Sequence, residues 1–175
     1  PAIETTNSAP ATDGAQIATA SVAADAAMVE KLRDQLAAGK FDRILGGRKE
    51  RAIVEAFYSS RDFAPLWIAD GAMSDRAKTA AAYLAGVDAD GLDPSEYPVL
   101  QLKAGMEPEA LAEAEIKFTD AVLTFARHAM AGRVHYSRVS ADIVYNLDYP
   151  DPAAVMASLG GGKTVKFTMH LVPHE

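Results

Sequence analysis

Apolar residues return at helical spacing through most of this chain, and the breaks between the periodic stretches fall at glycine, proline and clustered polar residues. After Asp25, a candidate N-cap, Met28, Val29, Leu32 and Leu36 recur every three or four positions, and Gly39 follows where a left-handed residue ends a helix. Ile53, Val54, Phe57 and Tyr58 mark a second amphipathic helix of about three turns, closed by the polar pair Ser59 and Ser60. A third helix opens at Ser74 or Asp75, and its side of Ala77, Ala81, Leu84 and Ala85 allows close backbone approach and predicts tight burial. Asp93, Pro94 and Glu96 supply an acceptor, a proline for the first helical position and a carboxylate in the first turn, so a short fourth helix is expected. The longest periodic stretch runs from about Pro108 to Ala131, with Leu111, Phe118, Ala121, Val122 and Phe125 on one face and Gly132 as its stop. Such a helix extends roughly 36 Å and suits a central strut on which shorter helices pack their apolar stripes. Asp151 and Pro152 begin one more short helix closed by Gly160, and Val165, Phe167, Met169 and Leu171 then alternate as a strand does.

This pattern predicts an all-α fold: an irregular multi-helix bundle around one long central helix, with a short strand near the C-terminus. Residues 1–24 are rich in Ala, Thr, Ser and Pro without a sustained apolar period and are expected to form a flexible leader, leaving 25–175 as one helical domain. With 175 residues, 49% of them apolar, one domain with a well-developed core is the natural expectation. The start at Pro1, without an initiator Met or a basic-then-apolar leader, implies a processed or trimmed beginning. Charge narrows the partners: 17 Lys and Arg against 24 Asp and Glu give a net −7, which repels a phosphate backbone and excludes nucleic acid. Cysteine is absent, so disulfides, a thiolate nucleophile and Cys-ligated zinc are excluded, although the compartment is not fixed by that. No apolar run approaches the roughly 20 residues of a membrane-spanning helix.

Three segments appear in a fixed order: FYSSRDFAPLW from Phe57 to Trp67, DADGLDPSEYP from Asp88 to Pro98, and the long helix ending AGRV at Val134. Together they resemble the scaffold domain of large periplasmic L,D-transpeptidases. Val139, Ser140, Asp142 and Ile143 after the long helix, and DPAAV at Asp151 to Val155 before a closing VPHE, fit the same likeness, which covers about residues 45–175. Its motif positions here are Phe57, Tyr58, Phe63, Pro65 and Leu66 in the first segment, Asp90, Gly91 and Asp93 in the second, and Gly132 in the third. The resemblance implies an exported Gram-negative cell-wall protein of the periplasm or cell envelope. In it, a helical module supports a separate catalytic domain that joins peptidoglycan stem peptides, so that domain and peptidoglycan are the implied partners. The family's catalytic motif, a histidine followed by a Ser/Gly-rich Cys loop, has no counterpart here, and the chain is expected to be a non-catalytic fragment without a cofactor. A stand-alone module that binds peptidoglycan or an envelope protein is the alternative.

Each residue cluster that resembles a functional site also has a plain packing reading. Trp67, the single tryptophan, lies beside Tyr58, Phe63, Pro65 and Leu66, an aromatic group that packs as a core anchor or cradles a sugar ring. Arg61 and Asp62 fix the adjoining turn by hydrogen bonds and charge pairing, or Arg61 meets an anionic glycan or stem-peptide carboxylate. Asp88, Asp90 and Asp93 suggest calcium, but Gly91 falls at the fourth position of that loop instead of the sixth, so a turn and a helix cap explain them better. SLGGGKT, ending at Thr164, imitates a phosphate loop after a helix instead of a strand, and its glycines are expected to end that helix. His128, Arg133 and His135 gather around the end of the long helix, where cations favour the negative end of the dipole. Arg133 and Tyr136 are kept as candidate binding residues, and an exposed apolar docking face is expected near Tyr136, Tyr145 and Tyr149. His170 and His174 are separated by Pro173, which argues against a helical zinc pair. Glu115 and Asp120 are five apart on the long helix, on different faces, and do not suit a two-carboxylate hydrolase.

Overall fold

The computed structural model describes residues 13–131 and 151–160, with side chains for 25–129 and 151–160. Among these residues the chain forms helices α1 (Asp13–Ala37), α2 (Arg48–Ser59), α3 (Asp75–Leu84), α4 (Pro108–Ala131) and α5 (Pro152–Gly160). A small antiparallel hairpin, β1 (Ile68–Ala69) and β2 (Ala72–Met73), lies between α2 and α3. The fold is therefore an all-α irregular bundle, and α4 is its centre: α1 packs along it more extensively than any other described pair of elements, and α5 touches both α2 and α4. Gly132, Arg133, His135, Tyr136, Tyr145, Tyr149 and the alternating segment 165–171 lie outside the described residues.

The apolar stripes account for the packing. Met28, Leu32 and Leu36 of α1 sit four residues apart and are buried where α1 packs along α4, whose Ala112, Ile116, Phe118, Val122 and Phe125 are buried as well. Gly39 takes the left-handed conformation (φ +67°) just past α1. Arg51 then fastens the corner: its Nη1 donates to the Leu36 carbonyl at 3.0 Å and to Glu55 Oε2 at 2.6 Å, while its Nε pairs with Asp42 Oδ1 at 2.6 Å. Gln35 Nε2 donates to the Glu109 carbonyl at 3.0 Å and ties α1 to the first turn of α4.

Several expectations require correction. α1 starts at Asp13, so Asp25 lies inside the helix and does not cap it; Ala15, Ala18, Ala20, Ala23 and Ala24 give the preceding segment strong helix propensity despite its lack of an apolar stripe. Asp93 does cap, accepting from the Ser95 N–H at 2.9 Å, but Pro94–Glu96 closes only a single 3₁₀ turn before Pro98 breaks the path. α3 is less enclosed than its alanines suggest, with Ala77 and Leu84 buried, Ala81 half-buried and Ala85 exposed. The hairpin was not expected; Asp70 (φ +53°) and Gly71 (φ +70°) form its two-residue connection with both residues left-handed, as a type I′ turn requires.

Candidate functional site

The segment between α2 and β1 sets up the centre of the molecule. Ser60 caps α2 through backbone bonds to Ala56 and Tyr58, and the chain then reverses through Asp62 (φ +55°) and Phe63 (φ +58°). A left-handed aromatic residue is uncommon and costs on the order of 1 kcal/mol or more. It is held here because the Phe63 N–H donates to the Tyr58 carbonyl at 2.7 Å and the Ala64 N–H to the Arg61 carbonyl at 3.0 Å, while the Arg33 guanidinium lies 5.0 Å from the Phe63 ring centre. Backbone hydrogen bonds make the turn, those of Arg61 and Asp62 included, whose N–H groups donate to the Tyr58 and Ser59 carbonyls at 3.1 and 3.2 Å; the expected charge pairing between the two side chains is not among the described ion pairs. Arg61 stacks over Phe57 at 5.5 Å, beside the end of α5.

That reversal aims the backbone of Leu66 and Trp67 into α4. Glu115 receives them: Oε1 accepts from the Leu66 N–H at 2.5 Å, from the Trp67 N–H at 3.1 Å and from the Tyr58 hydroxyl at 2.8 Å, and Oε2 accepts from the Trp67 N–H at 3.2 Å. One turn on, Thr119 Oγ1 accepts from the Trp67 indole N–H at 2.8 Å and lies 2.9 Å from the Tyr58 hydroxyl. Glu115, Thr119, Tyr58 and Trp67 all have 0% exposure. Helix α2 and the turn that follows it thus converge on two side chains of the central helix. Phe118 closes the assembly edge-on to Trp67, with ring centres 5.0 Å apart.

Burial pushes the Glu115 carboxyl up to about 7 against the opposing pull of its Leu66, Tyr58, Trp67 and Ile68 donors. Burial and the neighbouring Glu115 charge raise the Tyr58 hydroxyl well above its ordinary value, so it stays a donor. An acid near neutrality beside a phenol has the composition of a proton-transfer site, but general acid–base catalysis requires a substrate within hydrogen-bond reach. With every member enclosed and each carboxylate oxygen already accepting, the chemistry available is structural: the cluster is a clamp. The same burial corrects the ligand reading of Trp67, whose ring has no face open to a sugar. Phe57 and Phe63 are half-buried on its flanks, with Leu66 buried and Pro65 half-buried between them.

Glu115, weighed from the sequence only as a partner for Asp120, is the residue at the centre of the clamp. Its signal was available: it lies four residues after Leu111 and three before Phe118, inside the apolar stripe of α4, where a charge must be answered by donors from another element.

The remaining candidates lie elsewhere. Gly91 (φ +75°) ends the 3₁₀ turn Val87–Asp90 in the left-handed conformation, and Tyr83 makes a long 3.5 Å contact with Asp90 Oδ2. His128, in the last turn of α4, has Nδ1 2.9 Å from the Tyr97 hydroxyl and 4.0 Å from Glu96 Oε2, linking the DPSEY segment to the central helix. Among the described residues no group of three or more His, Asp or Glu is placed to hold a metal, and the chain has no cysteine. A groove of about 360 Å³ runs between α2, α4 and α5, floored by Leu45, Ile53, Leu123 and Val155, with Lys49, Glu50, Arg127 and Asp151 at its edges.

The sequence segments that form the clamp and its supports can be set against known proteins. No curated protein and no solved structure matches the chain. A family model described as "Scaffold domain" matches residues 52–174, from within the Tyr58 helix through the clamp, the central strut and α5. That span is well over half of the sequence, and the chain belongs to the Scaffold domain family.

Proposed function

We propose that this chain is the non-catalytic scaffold module of a peptidoglycan L,D-transpeptidase, exported to the periplasm, whose task is to hold a catalytic domain during cell-wall cross-linking or remodelling. The observation that carries this reading is the Scaffold domain match across residues 52–174, which takes in FYSSRDFAPLW, DADGLDPSEYP and AGRV, the three segments that resemble the L,D-transpeptidase module. The clamp is consistent with it: the polar groups best suited to proton transfer, Glu115 and Tyr58, are spent on rigidity. A rigid strut with its ionisable groups consumed internally is what positioning another domain requires. No described helix is long and apolar enough to cross a membrane.

The test is a pull-down of this chain on purified peptidoglycan sacculi, with and without a separately produced L,D-transpeptidase catalytic domain. Retention only in the presence of that domain supports scaffolding. Retention of the chain alone favours the binding-module reading, and unaided release of sugar or peptide products refutes both.

A further inference from the structure

The proton positions inside the clamp follow from counting donors and acceptors, and the count changes with the charge on Glu115. The Leu66 and Trp67 N–H groups have one role each, as donors to the carboxylate, and the Trp67 indole N–H donates to Thr119 Oγ1 at 2.8 Å. The Thr119 hydroxyl directs its own proton to the Glu115 carbonyl one turn back, at 3.0 Å. The Tyr58 hydroxyl has a choice: its single proton lies within reach of two oxygens, Glu115 Oε1 at 2.8 Å and Thr119 Oγ1 at 2.9 Å. While Glu115 is ionised the carboxylate takes that proton, because a hydrogen bond to a charged acceptor is the stronger one.

Once protonated, Glu115 becomes a donor in a site closed to solvent and must find an acceptor. The neighbours of its two oxygens are the backbone N–H groups of Leu66, Trp67 and Ile68, which can only donate, and the Tyr58 hydroxyl, whose oxygen has lone pairs. Thr119 Oγ1 in turn has a second lone pair beyond the one that meets the indole N–H. We propose that Tyr58 is a two-way relay: with Glu115 ionised its hydroxyl donates to the carboxylate, and with Glu115 protonated it accepts from the carboxyl and donates to Thr119, so that the clamp gains or loses a proton without opening. The added proton comes from solvent and bonds to Oε1, one hydroxyl proton changes partner, and every heavy atom keeps its place. No charged side chain bonds to the carboxylate among the described residues: Arg61 of the turn acts on Tyr58 through its field and stacks on Phe57, Arg33 of α1 lies over the Phe63 ring, Glu55 of α2 is paired with Arg51, and Asp120 of α4 is subject to the field of Arg127. With the Glu115 carboxyl held at about 7, both states are populated near neutrality. The relay does not depend on what the chain holds in place.

The experiment follows the Glu115 carboxyl by NMR of the chain with isotope-labelled glutamate across the neutral pH range, its signal assigned by its loss in Glu115→Gln. In Thr119→Val the Tyr58 proton has no recipient once Glu115 is protonated, so the titration midpoint is expected to fall by about one pH unit, the effect of losing one hydrogen bond in one of the two states. Thr119→Ser restores the oxygen and is expected to titrate as the native chain does. A second measurement needs no variant, and keeps the test decisive if Thr119→Val unfolds. The Tyr58 hydroxyl proton, closed off from solvent, is expected to show nuclear Overhauser contacts to the Thr119 side chain below the midpoint and to the Glu115 side chain above it. A native midpoint retained in Thr119→Val, hydroxyl contacts that are the same on both sides of the midpoint, or a Glu115 carboxyl that does not titrate in the folded chain would overturn the proposal.

Discussion

Removing the Glu115 carboxylate isolates what the clamp contributes. In Glu115→Ala the Leu66 and Trp67 N–H groups lose their acceptor in a site closed to solvent, while the Tyr58 hydroxyl keeps Thr119 Oγ1 at 2.9 Å. Each buried donor left without a partner costs about 1–3 kcal/mol, so two such donors set the loss at about 2–6 kcal/mol, with a trapped water moving it toward the lower figure. Against a typical domain stability of about 5–15 kcal/mol, that leaves the fold marginal. Glu115→Gln keeps the shape and one acceptor oxygen, so its cost at neutral pH is about 1 kcal/mol. Urea denaturation supplies both values, read through Trp67, the only tryptophan and a wholly buried one, whose emission shifts to the red as the clamp opens. The reasoning fails if the alanine variant loses less than about 1 kcal/mol, or if glutamine and alanine are equally damaging.

Acidity gives a second reading of the same residue. Burial raises Glu115 from 4.5 to about 7 and Asp120 from 3.8 to about 6, so the folded chain holds both protons more tightly than the unfolded one. Their stabilising contribution is complete below the unfolded values and is lost as pH rises through 6 and then 7. For Glu115 this amounts to about 3 kcal/mol, seen as a fall in the urea midpoint of the native chain relative to Glu115→Gln between acid and neutral pH. Ser74→Ala removes both the acceptor of the Ala77 N–H and the donor to the Leu66 carbonyl, each at 3.1 Å, and is expected to cost about 1–2 kcal/mol by thermal or urea denaturation. Two glycine substitutions separate conformation from crowding in the same assay. Gly71→Ala meets no atom within 4 Å but is held at φ +70°, so a loss of about 1 kcal/mol is purely conformational. Gly160→Ala would set its Cβ 2.9 Å from the Phe57 ring, and the expected loss of about 1–3 kcal/mol comes from displacing that ring.

The elements easiest to read in the sequence were those whose signals are local. Pro108 and the apolar stripe after it placed the central helix, Pro152 and Gly160 bounded α5, and Ser74 capped α3, because capping and periodicity act within one or two turns. Asp70–Gly71 was an equally local hairpin signal, overlooked because the flanking strands are only two residues each, too short to show an alternating pattern. The clamp is a different matter, since its bonds join residues 48 to 61 positions apart. Tyr58, Leu66 and Trp67 fall close enough in the sequence to be read as one aromatic cluster, with core packing as one of its two readings. What it lacked was the partner on α4, because a Glu flanked by Ala114 and Ile116 looks like an ordinary helical charge until its place in the stripe is counted. Gly71 and Gly91 are at positions where only backbone geometry explains the residue, whereas Arg61 joins the turn through its backbone N–H and sets its guanidinium over the Phe57 ring.

Sedimentation velocity of this chain mixed with a separately produced L,D-transpeptidase catalytic domain addresses the scaffold role most directly. The account predicts a single heavier species at one-to-one stoichiometry, formed without any substrate present. Two components sedimenting at their individual rates across the whole concentration range would contradict it.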